Sequence, residues 1–263
     1  MTCHSLLVMA GRGLIITWCA GSTVAESGSV SAGAVTLRAG GRPAAVPWSR
    51  SAVYGRNGMA ATAHPLASQV AIDILKQGGS ALDGAIAANA ALGLMEPTGN
   101  GIGGDVFFII WDPKTQQLYG YNGSGRAPLE RSLIDLKSQI ASLRQSGAMP
   151  EDMLGIPQRG SLPVTVPGTV DGWFAAHARF GTLPMSDVLA PTIRYAREGF
   201  PITPVIAYYF ERNLNAFRDQ EALIEELDNA AALWFPKGRT PKAGEVFRNP
   251  DLANTLEILG NEG

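Results

Sequence analysis

Hydrophobic and polar positions fall into clear blocks from residue 65 onward. Pro65 suits a first helical turn, and apolar Leu66, Val70, Ala71, Ile74 and Leu75 recur at helical spacing until Gly78-Gly79 closes the run, which predicts one amphipathic helix. Ser80 followed by Asp83 resembles a capping box, and Ala81 to Met95 is small and apolar nearly throughout before Glu96-Pro97 stops it. A helix that is apolar on almost every side must be buried. Asp105 to Asp112 encloses the block Val-Phe-Phe-Ile-Ile-Trp, of strand length. The turn signal Asp112-Pro113 follows, and Leu118 to Tyr121 reads as a hairpin partner joined through Lys114 to Gln117. Val170 to Phe180, Ser186 to Glu198, Pro204 to Phe217 and Gln220 to Ala232 read as helices, and Pro236 to Glu245 as a loop. The expectation is an α+β domain in which helices cover a sheet.

Composition narrows the class. With 46% hydrophobic residues among 263, a packed core is within reach and a disordered chain is excluded. Lys and Arg total 21 against 23 acids, without a basic run, which removes the electrostatic footprint of a nucleic-acid binder. No apolar stretch reaches the roughly 18 residues that a membrane-spanning helix requires. Cys3 and Cys19 both lie in the first twenty residues, so the body of the chain has neither a disulfide pair nor a thiolate nucleophile, and the redox compartment is not assigned. The stretch 1–47 is expected to be a leader, either disordered or a weak signal peptide. Arg12 supplies a charge, Leu14 to Ala20 a short apolar core, and Ser22 to Gly41 is rich in Ser, Gly and Ala. Residues 48–263 form the structured part, and both a cytoplasmic and a secreted or periplasmic location remain open.

Candidate chemistry is sparse. Gly99-Asn100-Gly101-Ile102-Gly103-Gly104 matches G-x-G-x-x-G, yet it follows a helix and opens a strand, the reverse of a dinucleotide-binding turn, so no cofactor is expected. Its glycines are read as permitting a tight, positive-φ reversal, with close backbone approach to a ligand as the functional variant. His64 and His177 lack metal-ligand spacing and read as structural or surface histidines, so no metal site is expected. G-x-S-x-G and Walker A patterns are absent. Arg126, in Asn122-Gly123-Ser124-Gly125-Arg126-Ala127-Pro128, is framed by small residues that allow its guanidinium fork to meet a carboxylate at close range. The plain alternative is a loop arginine paired to Glu130.

The ordered set Gly58-Met59, His64-Pro65-Leu66-Ala67, Gly78-Gly79, Ala81-Leu82-Asp83, Ala87 to Leu92, Glu96-Pro97 and Asn100 to Gly104 resembles the gamma-glutamyltransferase (gamma-glutamyltranspeptidase) family. The resemblance resumes at Val166 to Gly172, at Phe180 to Pro184, from Leu189 to Pro201 and at Asp251-Leu252-Ala253. It implies an N-terminal-nucleophile hydrolase with an αββα sandwich, present here only in part, made as a precursor that cleaves itself into large and small chains. The threonine that opens the small chain then attacks a gamma-glutamyl amide, with its own amine as base. By the same resemblance this sequence corresponds to the front of the large chain. No catalytic residue is expected in it, the nucleophilic threonine being missing, and the partner is a small catalytic chain of the same family acting on a small-molecule substrate.

Two positions depart from the transpeptidase pattern. Aligned on Ala127-Pro128, Ser124 stands where the family places its carboxylate-binding arginine, and Arg126 lies two positions later; Asp105 replaces a glycine. Both resemble the acylase-like branch. The resemblance therefore implies a gamma-glutamyltransferase or gamma-glutamyl hydrolase with Arg126 as the substrate-binding residue. The alternatives are an acylase for other side-chain amides and a noncatalytic remnant or binding module.

Overall fold

The computed structural model describes residues 53–263 except 151 and 226, together with strand backbone at 6–10, 13–17, 37–38 and 42–43. In chain order the strands are β1 (Leu6–Ala10), β2 (Gly13–Thr17), β3 (Leu37–Arg38), β4 (Arg42–Pro43), β5 (Gly58–Ala61), β6 (Val106–Asp112), β7 (Gln117–Gly123), β8 (Phe200–Pro201) and β9 (Val246–Phe247). The helices are α1 (Pro65–Lys76), α2 (Ala81–Met95), α3 (Leu133–Gln145), α4 (Thr169–Phe180), α5 (Met185–Glu198), α6 (Pro204–Asp219), α7 (Leu227–Trp234) and α8 (Pro250–Glu262). This is the expected α+β mixture. The main sheet has five strands in the order β5-β1-β2-β6-β7, each neighbouring pair antiparallel. Its β1–β2 hairpin comes from the stretch read as a leader; most of that stretch, including Cys3 and Cys19, lies outside the described residues.

Helix α2 is the centre. Its sequence ALDGAIAANAALGLM offers no polar stripe, and residues on every side of it are buried, Ala85, Ile86, Ala87, Ala88, Ala91 and Leu94 completely. Helices α1, α4 and α5 and strands β1 and β2 supply the cover. Small side chains let these neighbours approach closely, and Trp173 of α4 donates from Nε1 to Asn89 Oδ1 at 2.9 Å, which pairs a polar atom that the packing would otherwise strand. Along β6 burial alternates, with Val106, Phe108 and Ile110 facing the core.

The start of α2 carries a polar knot. Ser80 Oγ accepts from the Asp83 amide at 3.1 Å and Asp83 Oδ2 accepts from the Ser80 amide at 2.7 Å, completing the expected capping box. Asp83 is fully buried, and its carboxylate also accepts from the amides of Thr182 (3.0 Å) and Leu183 (3.2 Å) in the turn between α4 and α5. His177 Nε2 stands 3.6 Å from Asp83 Oδ1 and 2.8 Å from the Leu183 carbonyl oxygen, so this histidine is structural, as read. His64 is structural too. It is the N-cap of α1, its Nδ1 accepting from the Leu66 amide at 3.2 Å, and it is 2% exposed.

Several elements differ from expectation. The single helix read over Gln220 to Ala232 is a short 3₁₀ turn, Glu221–Leu223, followed by α7, with Ile224 extended between them. The loop at 160–161 forces the break. The Leu223 carbonyl oxygen packs against Gly160, and Ser161 donates from its amide and hydroxyl to the Glu225 carboxylate, so tertiary contacts override helix propensity. Helices α3 and α8 and strand β5 are additional elements. Within Pro236 to Glu245 a 3₁₀ turn, Pro236–Gly238, interrupts the loop.

Two outcomes are expected from these contacts. Asp83→Ala leaves the Ser80, Thr182 and Leu183 amides without their buried acceptor, and should lower stability by about 3 kcal/mol or more in urea denaturation. Burial holds the His64 imidazole below its ordinary value of 6.5, an effect only partly offset by the Glu96 carboxylate. A base whose folded-state affinity for protons is depressed contributes stability above the unfolded value and loses it as pH falls. The unfolding free energy should therefore decline below about pH 6.5, by at most ~1.4 kcal/mol per pH unit from this group. His64→Asn, which retains a capping oxygen, should remove that component when denaturation curves at pH 7.5 and 5.5 are compared.

Candidate functional site

Three loops meet at one end of the β6–β7 hairpin. The first is the glycine turn 99–104 between α2 and β6, the second is 122–126 at the end of β7, and the third is 165–168 leading into α4. Helix α4 begins without a side-chain cap, its N-cap being Gly168. The Gly104 carbonyl oxygen fills that role, accepting from the amides of Gly168 (2.9 Å) and Thr169 (3.0 Å), and Thr169 Oγ1 donates to the Gly101 carbonyl at 3.3 Å. The glycine turn is thereby tied to the first turn of α4.

None of the glycines of the turn 99–104 has positive φ, which corrects the expected positive-φ reversal. Their absent side chains serve space rather than torsion. A Cβ on Gly93 of α2 would meet the Gly101 Cα at 3.4 Å, so the turn lies close over the helix. Around Gly101 and Gly103 there is open space, with nothing within 4 Å of a hypothetical Cβ, and both residues are exposed. This bare backbone borders a pocket of about 240 Å³ whose lining includes Asn89, Asn100, Ile102, Trp173 and Trp234.

The loop 122–126 is held from both sides. Asn122 Oδ1 accepts from the Ser124 amide at 2.9 Å, an Asx turn that starts the loop. Asp105, just ahead of β6, accepts from the Gly125 amide at 2.8 Å and from Ser124 Oγ at 3.4 Å. On the other side the Val166 amide donates to the Arg126 carbonyl at 2.9 Å. Gly125 is required by contact, since a Cβ there would lie 1.9 Å from the Val166 carbonyl oxygen; Gly168 likewise faces the Gly123 carbonyl oxygen at 2.1 Å. Nearby, Tyr121 donates to Asp171 of α4 at 3.3 Å, and its phenol is pushed up from its ordinary value by burial first and by the Asp171 carboxylate second.

Arg126 is thus a side chain on a fixed backbone. It is exposed, and among the described residues it has no ion-pair partner; Glu130, the partner that a plain loop arginine would have, is not bonded to it. The loop that carries this exposed guanidinium is joined to the end of the glycine turn through the Asp105–Gly125 hydrogen bond. The ties made by Asp105 and Val166 were not legible from the chain, because the residues joined are far apart in it.

The sequence profile described as gamma-glutamyltranspeptidase matches residues 67–263. The chain belongs to the gamma-glutamyltranspeptidase family. Among curated relatives, the glutathione hydrolase-like YwrD proenzyme of Bacillus subtilis is 32% identical over 212 residues, which cover 80% of this chain and 36% of that protein. The oxamate amidohydrolase proenzyme of Klebsiella pneumoniae is 35% identical over 213 residues, 79% of this chain and 36% of that protein. Among solved structures, cephalosporin acylase from Bacillus halodurans superposes with a TM-score of 0.71 at 40% identity, covering 82% of this chain and 38% of that one. The chain spans little more than a third of the length of these curated relatives.

A paired substitution tests the packing of the loop. Gly125→Ala must displace the Val166 carbonyl and should cost about 1–3 kcal/mol in thermal denaturation, with faster exchange at the Val166 amide. Gly101→Ala enters open space and should stay within ~0.5 kcal/mol of wild type.

Proposed function

We propose that residues 48–263 supply the front part of the large chain of a gamma-glutamyltransferase or gamma-glutamyl hydrolase. In this reading they form part of an αββα sandwich that a small catalytic chain of the same family completes. A threonine at the start of the small chain attacks the amide carbon of a gamma-glutamyl donor; its own amine takes the hydroxyl proton and passes it to the donor's amine, which leaves as the C–N bond breaks, and the acyl ester so formed is then transferred to an amino acid, a peptide or water. Arg126 holds the donor's carboxylate, and the bare backbone at Gly101 and Gly103 gives the donor or the completing chain close access. The observation that carries this reading is the exposed guanidinium of Arg126, without an ion-pair partner among the described residues, on a pinned loop in a chain of this family.

A second reading, an acylase acting on other side-chain amides, is favoured by Ser124 and Asp105. They occupy positions where the transpeptidase pattern differs, they are bonded to each other, and the 40% identical solved structure is named a cephalosporin acylase. The third alternative, a noncatalytic remnant or binding module, predicts that the pinned loop remains without any turnover.

The experiment is steady-state kinetics on the mature protein, large and small chains together. The substrates are a gamma-glutamyl anilide and the matching anilide that lacks the alpha-carboxylate. If Arg126 holds the carboxylate, Arg126→Ala should raise KM for the first donor by about one to two orders of magnitude with little change in kcat, and leave the second donor unaffected. Equal KM values for wild type and Arg126→Ala remove Arg126 from the site. Turnover of other side-chain amides with none of gamma-glutamyl donors selects the acylase, and absence of any turnover selects the remnant.

A further inference from the structure

We infer that Asp105 is a positioning residue for donor recognition, one that sets where the Arg126 guanidinium can reach. The inference rests on the reading of Arg126 as the carboxylate holder. Asp105 lies between the glycine turn and the first residue of β6, so its backbone is fixed on one side by the hairpin. On the other side it is fixed by Gly104, whose carbonyl accepts the two amides that open α4. From that anchored place its carboxylate takes the Gly125 amide at 2.8 Å and the Ser124 hydroxyl at 3.4 Å.

Gly125 directly precedes Arg126, and the Arg126 carbonyl is bonded in turn to the Val166 amide at 2.9 Å. The peptide unit that carries the arginine is therefore clamped at both ends, by a carboxylate and by an amide from different segments. An ionised acceptor makes the stronger kind of hydrogen bond. Glycine at position 105, as in the transpeptidase pattern, would remove one end of the clamp. Asp105 thus holds the loop in the form that presents Arg126.

Kinetics on the mature two-chain protein, with the carboxylate-bearing anilide and its analogue, test the inference. Asp105→Ala should raise KM for the carboxylate donor about tenfold with kcat within ~3-fold of wild type, and leave KM for the analogue unchanged. Asp105→Asn keeps an acceptor for the Gly125 amide and should restore KM to within ~3-fold of wild type. Adding Asp105→Ala to Arg126→Ala should change nothing further, because both act on one contact.

Wild-type KM in Asp105→Ala alongside a raised KM in Arg126→Ala overturns the inference and leaves the reading of Arg126 intact. An equal rise for both donors, or an Asn variant as impaired as the Ala variant, overturns it as well. Wild-type KM in Arg126→Ala defeats the reading of Arg126 and this inference with it. A measurement independent of turnover is amide exchange on the mature two-chain protein. Asp105→Ala should speed exchange at Gly125 at least about tenfold while Gly168, bonded to Gly104, is unaffected. Unchanged exchange at Gly125 overturns the clamp.

Discussion

Helix α2 exposes almost no polar surface, and the need to keep it out of water organises the rest of the molecule. A helix with one apolar stripe can lie on a surface, but one that is apolar all round must be enclosed. Here α1, α4 and α5 close around it together with strands β1 and β2. Its own ends are settled by polar contacts, the Asp83 knot at the start and the glycine turn at the finish. Each of these ends does a second task. Asp83 fixes the turn between α4 and α5 through the Thr182 and Leu183 amides, and the glycine turn offers the Gly104 carbonyl to the N-terminus of α4.

That arrangement places the candidate site. Because Gly104 binds the first amides of α4 and Gly168 touches the Gly123 carbonyl, the loops after β7 and before α4 must lie side by side. The site is therefore a consequence of core packing at the neighbouring helix. Glycines at 123, 125, 168 and 172 keep side chains out of the way: Gly123 and Gly172 both pack against Val106 and Tyr121, so α4 rests on the hairpin at nearly backbone distance.

Much of this was legible in the chain wherever the signal is local. The capping box Ser80 to Asp83, the apolar run to Met95 and the strand Val106 to Asp112 each follow from their own residues. Helix α3 escaped although Leu136, Ile140 and Leu143 recur at helical spacing and are half-buried; that stripe and its Ser132 to Asp135 cap were the available signs. The break at Ile224 escaped because its cause, Gly160 and Ser161, is remote in sequence. Strand β2, which overlaps the apolar stretch Leu14 to Ala20, lies between β1 and β6, a pairing no local pattern encodes. Arg126 stood out through its small neighbours and the family resemblance, whereas the role of Asp105 depended on an amide twenty residues away.

The clamped loop has a thermodynamic meaning of its own. Ordering a flexible segment on ligand capture costs roughly 1–2 kcal/mol per residue in backbone freedom. With Gly125 and Arg126 already tied to Asp105 and Val166, that cost was met when the chain folded, and in the proposed reading an arriving anion has to still little beyond the arginine side chain itself. Under the role proposed for Arg126, recognition at this loop is in that sense prepaid.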